Sequence, residues 1–104
     1  MNRREFINHT GIYCTDDIER HHGGHWFSKG AKNFFNSRWS DQTFYNAEKN
    51  FIFFVSSEKY DYKSPRLYTI RSYDPTTDEI STVGDFQQYA SLNAAKRAAS
   101  KLEE

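Results

Sequence analysis

The sequence predicts an α+β domain in which an antiparallel sheet of three to four strands is packed by a C-terminal helix and a shorter upstream helix, in the order α-β-β-β-α. Three observations predict this fold class. Residues 51–55 (Phe-Ile-Phe-Phe-Val) are five consecutive β-formers. Residues 66–73 alternate between two faces of a strand. Residues 91–102 carry small and apolar side chains at helical spacing.

Length and composition limit the class of protein. With 104 residues the chain forms one domain with a single core, which its 17% of aromatic residues can close because each buries a large area. Fourteen basic and fourteen acidic residues give zero net charge, which disfavours a protein dedicated to nucleic acid, since phosphate binding usually needs a basic excess. The single cysteine excludes an internal disulfide. No apolar run approaches a signal peptide or the ~20 residues of a membrane span, so we expect a cytoplasmic protein without a membrane partner.

The first part of the chain carries few regular signals. We expect residues 1–28 to form an irregular N-terminal arm, which Trp26 and Phe27 dock onto a core of residues 29–104. Ser28 is suited to cap the shorter helix, which we expect to end near Arg38. The apolar side of this helix consists of Ala31, Phe34 and Phe35.

The strands and the last helix follow in order. Residues 51–55 lack alternation, which is typical of a central strand covered on both faces. Residues 66–73 and 79–83 form a hairpin, because Asp74 and Pro75 favour a turn between them. Ser91 is suited to cap the C-terminal helix. The stripe that this helix turns toward the sheet consists of Leu92, Ala95, Ala99 and Leu102, with Ala98 at its margin.

Several dispersed blocks resemble a family of small hypothetical proteins of bacteriophages and prophages. The blocks are Trp26-Phe-Ser, Phe34-Phe-Asn-Ser-Arg38, Phe54-Val-Ser-Ser-Glu58, Pro65-Arg-Leu-Tyr-Thr-Ile-Arg71 and Phe86-Gln-Gln-Tyr89, followed by the alanine-rich helix. The resemblance implies a mobile-element origin and no catalytic residues. Small phage proteins of this kind often bind host machinery, as anti-CRISPR proteins do, and this expectation is an association with the family.

Residues 50–102 are also similar to the double-stranded RNA-binding domain. The likeness lies in the order of elements, in the run Ser91…Ala95-Lys96…Ala98-Ala99, and in Pro65-Arg-Leu-Tyr-Thr69 at the entry to the second strand. That family places lysines at the start of the last helix, where this chain has Leu92 and Asn93. The resemblance therefore implies a shared shape, with Lys96 as the remaining phosphate-binding position.

One group of residue types could hold a metal ion. His21, His22 and His25 lie close in the sequence, and Cys14 precedes them. Zinc takes three or four nitrogen, sulfur or oxygen ligands, and the loop His22-Gly-Gly-His25 could present two imidazoles. Two alternatives are a solvated loop that carries histidines and, for Cys14, a partly buried structural thiol. We expect neither a metal site nor a cofactor, because no Cys-x-x-Cys or His-Glu-x-x-His pattern is present.

Basic and tyrosine residues supply the candidate binding surface. Arginine and lysine suit phosphate groups, whereas tyrosine and arginine are enriched at protein interfaces. An ordinary surface of mixed charge and a tyrosine-rich core are the alternatives. The candidate residues for binding a partner or RNA are Lys29, Lys32, Arg38, Tyr60, Tyr62, Arg66, Arg71, Lys96, Arg97 and Lys101, and Tyr73 and Tyr89 belong to the same tyrosine set.

The expected function is that of a non-enzymatic phage or prophage accessory protein. It would bind and modulate a host protein or ribonucleoprotein, as an inhibitor of nucleic-acid-handling defence machinery of the anti-CRISPR kind. The first alternative is direct binding of structured or double-stranded RNA through Lys96, Arg97, Lys101 and the helix with Lys29 and Lys32. The second alternative is a small metal protein built on the histidine cluster.

Overall fold

The protein is an α+β domain, as the sequence predicts. In the computed structural model, residues 2–22, 38–59 and 63–103 are described. They form helices α1 (Arg3–Thr10), α2 (Thr15–His22) and α3 (Leu92–Lys101), and strands β1 (Arg38–Asn46), β2 (Phe51–Glu58), β3 (Leu67–Asp74) and β4 (Glu79–Val83). None of these helices is long and apolar enough to cross a membrane.

The expected irregular arm over residues 1–28 is wrong for its described part, which contains α1 and α2. Helix α1 begins after Asn2, whose side-chain oxygen accepts a hydrogen bond from the Glu5 amide at 2.9 Å. It ends at Gly11, whose φ of 77° lies in the left-handed region that favours glycine. These two caps allow a helix of eight residues that buries only Phe6.

Helix α2 begins at a carboxylate cap. The Asp17 carboxylate accepts hydrogen bonds from the backbone amides of Tyr13 and Cys14 at 2.9 and 3.1 Å. This is the reciprocal half of a capping box, in which an acidic side chain returns to the amide that precedes the helix. The first of these bonds is the main cause that lowers the pKa of Asp17, and the guanidinium of Arg20 acts in the same direction.

The expected docking of Trp26 and Phe27 and most of the expected upstream helix lie outside the described residues. Arg38, where that helix was expected to end, is instead the first residue of β1. It lies opposite Ser57 of β2 in the sheet. The described chain therefore places its upstream helices earlier than the sequence pattern indicated, in residues 3–10 and 15–22.

The four strands form one antiparallel sheet in the order β1-β2-β3-β4. Strand β2 is inside the sheet and has seven consecutive buried residues, from Ile52 to Glu58. This confirms the prediction of a strand covered on both faces. Strand β1 is irregular between Trp39 and Thr43, where its register with β2 shifts. Side chains of α1 and α2 bind at this irregularity, so it is the place where the N-terminal helices are attached.

Arg3 and Thr15 make that attachment. The Arg3 guanidinium donates to the backbone oxygen of Thr43 at 2.8 Å and to its hydroxyl at 2.9 Å. The Thr43 hydroxyl in turn donates to the Tyr13 carbonyl at 2.7 Å. The Thr15 hydroxyl donates to the carbonyl of Ser40. These bonds connect both helices to β1 through groups that are partly or fully shielded from water.

One face of the sheet, which we call the α3 face, packs against α3. Ala95 and Ala99 of α3 are fully buried against Val55 and Ile70 of the sheet. The alanines have little volume, so the helix axis lies close to the strands. The Ser91 hydroxyl accepts from the Ala94 amide at 3.1 Å and caps the helix. The predicted stripe and cap are therefore confirmed. Half-buried residues that pack against the same apolar side chains include Leu92, Ala98 and Leu102.

The opposite face, which we call the α1–α2 face, has an apolar core over part of its length. Phe6, Ile12 and Ile18 come from the N-terminal helices and the loop between them, and all three are at most 1% exposed. They pack against a row of sheet residues, namely Tyr45, Ile52, Phe54 and Tyr73. The rings of Phe6 and Tyr45 lie 4.7 Å apart between centroids. The domain therefore has three layers, with helices on both faces of the sheet.

The turns before β2 and before β4 use the same contact. In the turn before β2, Asn50 has a φ of 59° and its side-chain oxygen accepts from the Tyr45 hydroxyl at 2.8 Å. In the turn before β4, Asp78 also has a φ of 59°, and its carboxylate accepts from the Tyr73 hydroxyl at 2.6 Å. Asn and Asp tolerate this left-handed conformation better than most residues. Each turn is thus closed by a tyrosine five positions earlier in the chain.

The close packing of α3 makes its alanines sensitive to added volume. We expect Ala99→Leu to lower the free energy of unfolding by about 1–3 kcal/mol, because the larger side chain must push α3 away from the sheet. The control is Asn93→Leu on the exposed side of α3, which should change the free energy of unfolding by less than about 0.5 kcal/mol. Urea denaturation followed by circular dichroism measures both variants. Equal stability of the two variants would contradict the described packing.

Candidate functional site: a buried ion pair beneath an exposed aromatic loop

Polar residues occupy the second half of the α1–α2 face. Along β2 the side chains on this face change from Ile52 and Phe54 to Ser56 and Glu58. Strand β3 places Thr69 opposite Ser56, and Arg71 follows two residues later on the same face. These four polar residues, Ser56, Glu58, Thr69 and Arg71, are at most 6% exposed. Buried polar groups need hydrogen-bond partners, and a buried charge needs a charged one.

Glu58 and Arg71 form a buried ion pair. The Nη2 atom of Arg71 lies 3.3 Å from Oε1 of Glu58. The Ser56 hydroxyl donates to the same Oε1 at 2.9 Å and accepts from Nε of Arg71 at 3.1 Å. The Thr69 hydroxyl donates to Oε2 at 3.4 Å, and Nη1 of Arg71 donates to the hydroxyl of Thr82 on β4. The pair thus connects three adjacent strands.

Burial and ion pairing act on Arg71 in opposite directions. Removal from water lowers the pKa of its guanidinium, whereas the neighbouring Glu58 carboxylate raises it again. A guanidinium has so high an ordinary pKa that the group stays charged at neutral pH. The Glu58 carboxylate and the hydroxyl groups of Ser56 and Thr82 therefore take the place of water around the Arg71 charge.

The loop between β4 and α3 lies on this cluster. The Gln87 amide donates to the Thr69 hydroxyl at 2.8 Å, and its side-chain nitrogen donates to the Glu58 carbonyl at 3.3 Å. Gln87 has a φ of 57°, in the left-handed region, so these contacts hold a backbone conformation that a glutamine rarely adopts. Gly84, with a φ of 74°, opens the loop, and the Asp85 amide donates to the Gln88 side chain at 3.0 Å.

This loop presents Phe86 to solvent. Its side chain is 56% exposed, although a phenylalanine is usually buried. The guanidinium carbon of Arg71 lies 5.4 Å from the centre of the ring, within the range of a cation–π contact. The buried Arg71 guanidinium therefore supports the inner side of the ring. Hydrogen bonds at Gln87 hold the loop that carries the ring. We take Phe86 and its supporting residues as the candidate functional site.

The structure corrects the assignment of Arg71 to an exposed binding surface. Arg71 is 6% exposed and pairs with Glu58, so it supports the surface from inside. Arg97 and Lys101 are exposed one turn apart on α3, on the other face of the sheet, and Lys96 is half-buried. These cations of α3 are consequently separate from the Arg71 cluster.

Arg38 and Arg66 meet at Ser57. Arg38 lies opposite Ser57 in the register of β1 and β2. Arg66 donates to the Ser57 carbonyl at 3.1 Å and to its hydroxyl at 2.9 Å. Burial lowers the pKa of Arg66, and the positive charge of Arg38 adds to this effect. The predicted basic residues therefore form at least two separate groups, one at Ser57 and one on the outside of α3.

The tyrosines also divide between core and surface. Tyr73 is 2% exposed and its hydroxyl donates to Asp78, so it belongs to the core. Burial is the main cause that raises its pKa. Tyr89 is half-buried, and its backbone pairs with that of Tyr68 at 2.8 and 3.0 Å. Tyr60 and Tyr62, like Lys29 and Lys32, lie outside the described residues.

Cys14 contacts a carboxylate in the described part of the chain. Its thiol lies 3.5 Å from the Asp17 carboxylate as a hydrogen-bond donor, and the residue is half-buried. Residues 2–22, 38–59 and 63–103 contain no group of three histidine, cysteine or acidic residues that could hold a metal ion. His25 and the side chains of His21 and His22 lie outside the described residues, so the expectation that they hold no metal ion stays a prediction.

Sequence reasoning identified Arg71 but missed its partners. A signal for them was present in β2, because Ser56 and Glu58 continue the same face of a strand expected to be covered on both sides. Polar side chains in that position require buried partners, and Arg71 on the neighbouring strand was the available cation. The sequence offered no comparable signal for Phe86, since nothing local distinguishes an exposed phenylalanine from a core one.

The chain matches a known protein family. The model of a family of unknown function, DUF7447, matches residues 14–100. This range covers most of the chain, including every strand and the candidate site, so the chain belongs to this family. No curated protein and no solved structure matches the chain.

We expect removal of one partner from the buried ion pair to destabilise the domain strongly. Glu58→Gln should cost about 3–5 kcal/mol in the free energy of unfolding, because it leaves the Arg71 charge buried without a counter-charge. The double variant Glu58→Gln with Arg71→Met should lose less than the sum of the single variants. Urea denaturation of all three variants gives this coupling.

Arg20→Met provides the control for that experiment. Arg20 forms an ion pair with Asp17, but its side chain is 71% exposed, so its loss should cost no more than about 1 kcal/mol. If Glu58→Gln were as mild as Arg20→Met, or if the two changes at Glu58 and Arg71 were additive, the pair would not have the described structural role.

Proposed function

We propose that this member of DUF7447 is a non-enzymatic accessory protein of a bacteriophage or prophage, which binds a host protein in the bacterial cytoplasm and modulates it. The specific form of the proposal is an inhibitor of nucleic-acid-handling defence machinery, comparable to the anti-CRISPR proteins. The resemblance of several sequence blocks to small phage proteins supports the origin. The observation that carries the binding role is the exposed, fixed ring of Phe86.

An exposed aromatic side chain on a rigid support has the properties of an interface anchor. Large aromatic residues dominate binding energy at protein interfaces because they bury much area with few rotatable bonds. The loop of Phe86 is held by Gln87 at two points and by Arg71 beneath the ring. Because the loop is already ordered, little conformational entropy is lost when a partner binds.

The charge beside Phe86 favours one type of partner. Asp85, directly before Phe86, is exposed and acidic. A partner with an apolar cleft and basic groups around it would complement this surface. Proteins that handle nucleic acids carry such basic surfaces, since they neutralise phosphate groups. This complementarity supports a defence protein as the target.

The second candidate function is direct binding of structured or double-stranded RNA. The observation that favours it is the outer face of α3, on which Arg97 and Lys101 are exposed one turn apart. The order of elements in residues 50–102, which is similar to the double-stranded RNA-binding domain, gives this helix a possible groove contact. The two functions use opposite faces of the sheet, so variants can separate them.

For the first function, we expect Phe86→Ala to abolish the effect on the host. Loss of a central aromatic anchor costs about 2 kcal/mol or more, which lowers affinity more than tenfold. The assay expresses the protein in bacterial strains that carry CRISPR or restriction systems, and it measures the plaquing efficiency of a targeted phage. The wild-type protein should raise this efficiency in at least one strain, and Phe86→Ala should not.

Tyr13→Ala is the matched control for this assay. Tyr13 is the other exposed large aromatic residue of the described chain, at 63%, and it belongs to the loop between α1 and α2. This variant should retain the wild-type effect. The proposal fails if the protein protects phage in no strain, or if Phe86→Ala protects as well as wild type while both variants keep the native circular dichroism spectrum.

For the second function, we expect binding to a double-stranded RNA that weakens steeply between about 50 and 200 mM salt, because phosphate contacts release counterions. Arg97→Glu should weaken this binding, whereas Arg4→Glu, an equal charge reversal at an exposed position on α1, should weaken it much less. Fluorescence anisotropy with labelled RNA measures both. Absence of binding at low salt rejects RNA as a ligand, and an equal loss in the two variants rejects the outer face of α3 as the surface that binds it.

A further inference from the structure

Strand β4 forms an edge of the sheet that the described chain leaves open. It pairs only with β3 within residues 2–22, 38–59 and 63–103. Ser81 and Thr82 are both exposed, although consecutive strand residues point to opposite faces. The strand is therefore accessible from both sides. An open edge presents unpaired backbone amide and carbonyl groups, which can pair with another strand.

The other edge of the sheet is protected. Strand β1 has a register shift between Trp39 and Thr43, and such irregularities prevent regular pairing. The carbonyls of Ser40 and Thr43 also accept hydrogen bonds from Thr15 and Arg3. Within the described residues, no side chain donates a hydrogen bond to the backbone of β4 in this way, and β3 is its only strand partner. Its sequence, Glu-Ile-Ser-Thr-Val, contains neither proline nor lysine, the residues that commonly block an edge.

We propose that β4 pairs with β4 of a second copy of this chain, antiparallel and around a twofold axis at Ser81. This register is the one that overlaps all five residues of both strands. It places Ser81 opposite Ser81, Ile80 opposite Thr82, and Glu79 opposite Val83. The pairing is self-complementary, as an interface between identical subunits around a twofold axis requires. It joins the two sheets into one sheet of eight strands.

Charge supports the same register. Each strand has one charged residue, Glu79 at its first position. In the proposed register the two Glu79 side chains lie at opposite ends of the strand pair, about 13 Å apart, since a strand rises roughly 3.3 Å per residue. A register centred on Glu79 would place the two carboxylates directly opposite, where like charges repel. The proposed register avoids this repulsion.

The geometry determines what the two copies present together. A twofold axis perpendicular to the sheet keeps equivalent faces on the same side, so both α3 helices lie on one face and both Phe86 rings on the other. Phe86 lies near β4, because the guanidinium of Arg71 contacts both its ring and the Thr82 hydroxyl. The pair would thus present two exposed aromatic rings on a common surface. This inference does not depend on the identity of any host partner.

Sedimentation equilibrium of the purified wild-type chain, up to millimolar concentration, tests the pairing. We expect the mean mass to rise from one copy toward two, and no further, because the pairing uses up both open edges. Ser81→Lys should keep the chain monomeric, since it places two lysines on the axis. Ser100→Lys, the same change at an exposed serine of α3, should leave the association unchanged.

Cross-linking tests the register independently. In a Cys14→Ser background, which leaves no native thiol, Ser81→Cys should form a disulfide-linked dimer on mild oxidation, because a residue on the axis lies directly opposite itself. Ser100→Cys in the same background should not. A chain that remains monomeric at every concentration, with Ser81→Cys linking no faster than Ser100→Cys, overturns the proposal. An increase in mass that Ser81→Lys leaves unaffected overturns it as well.

Discussion

The buried pair of Glu58 and Arg71 constrains the rest of this domain. Both side chains are only 7% exposed, so the two charges depend on hydrogen bonds within the protein. The hydroxyls of Ser56, Thr69 and Thr82 supply them from three different strands. A slip of one residue in any pairing would move these groups to the wrong face. The pair therefore fixes the register of β2, β3 and β4 together with the apolar side chains.

The two faces of the sheet differ in what they can contribute to function. The α3 face is closed by alanines that lie against apolar strand residues, and its helix exposes only its outer side. The α1–α2 face has an apolar half under the N-terminal helices and a polar half under the loop of Phe86. The polar half combines a buried charge, an ordered loop and an exposed ring. For that reason we place the candidate site there.

The sequence predicted the parts of the fold with strong local signals. The unbroken β-formers of β2, the alternation of β3, the turn at Asp74 and Pro75, and the alanine stripe of α3 each have their predicted form. Helices α1 and α2 were missed because each is eight residues long and the apolar side of α1 consists of little more than Phe6. The caps of α1, Asn2 and Gly11, were visible in the sequence. Such caps are hard to recognise without an apolar stripe beside them.

The candidate site was predictable only in part. The alternation expected for residues 66–73 is confirmed in β3, with Thr69 and Arg71 on one face and Tyr68 and Ile70 on the other. It could not show that another part of the chain covers this face, and Arg71 was therefore taken as exposed. The converse holds for Phe86, whose exposure depends on a left-handed residue at Gln87 and on support from a distant strand. Both features are tertiary and have no local signature.

The paired tyrosine contacts of the two turns have a consequence for the order of folding. Tyr45 with Asn50 and Tyr73 with Asp78 each close a segment of six residues, so either hairpin can form from contacts that are near in sequence. Closing such short loops costs little entropy and takes place early. Docking of the N-terminal helices requires contacts across about 40 positions, as between Arg3 and Thr43. We therefore expect folding to begin at these two turns and the N-terminal helices to dock later.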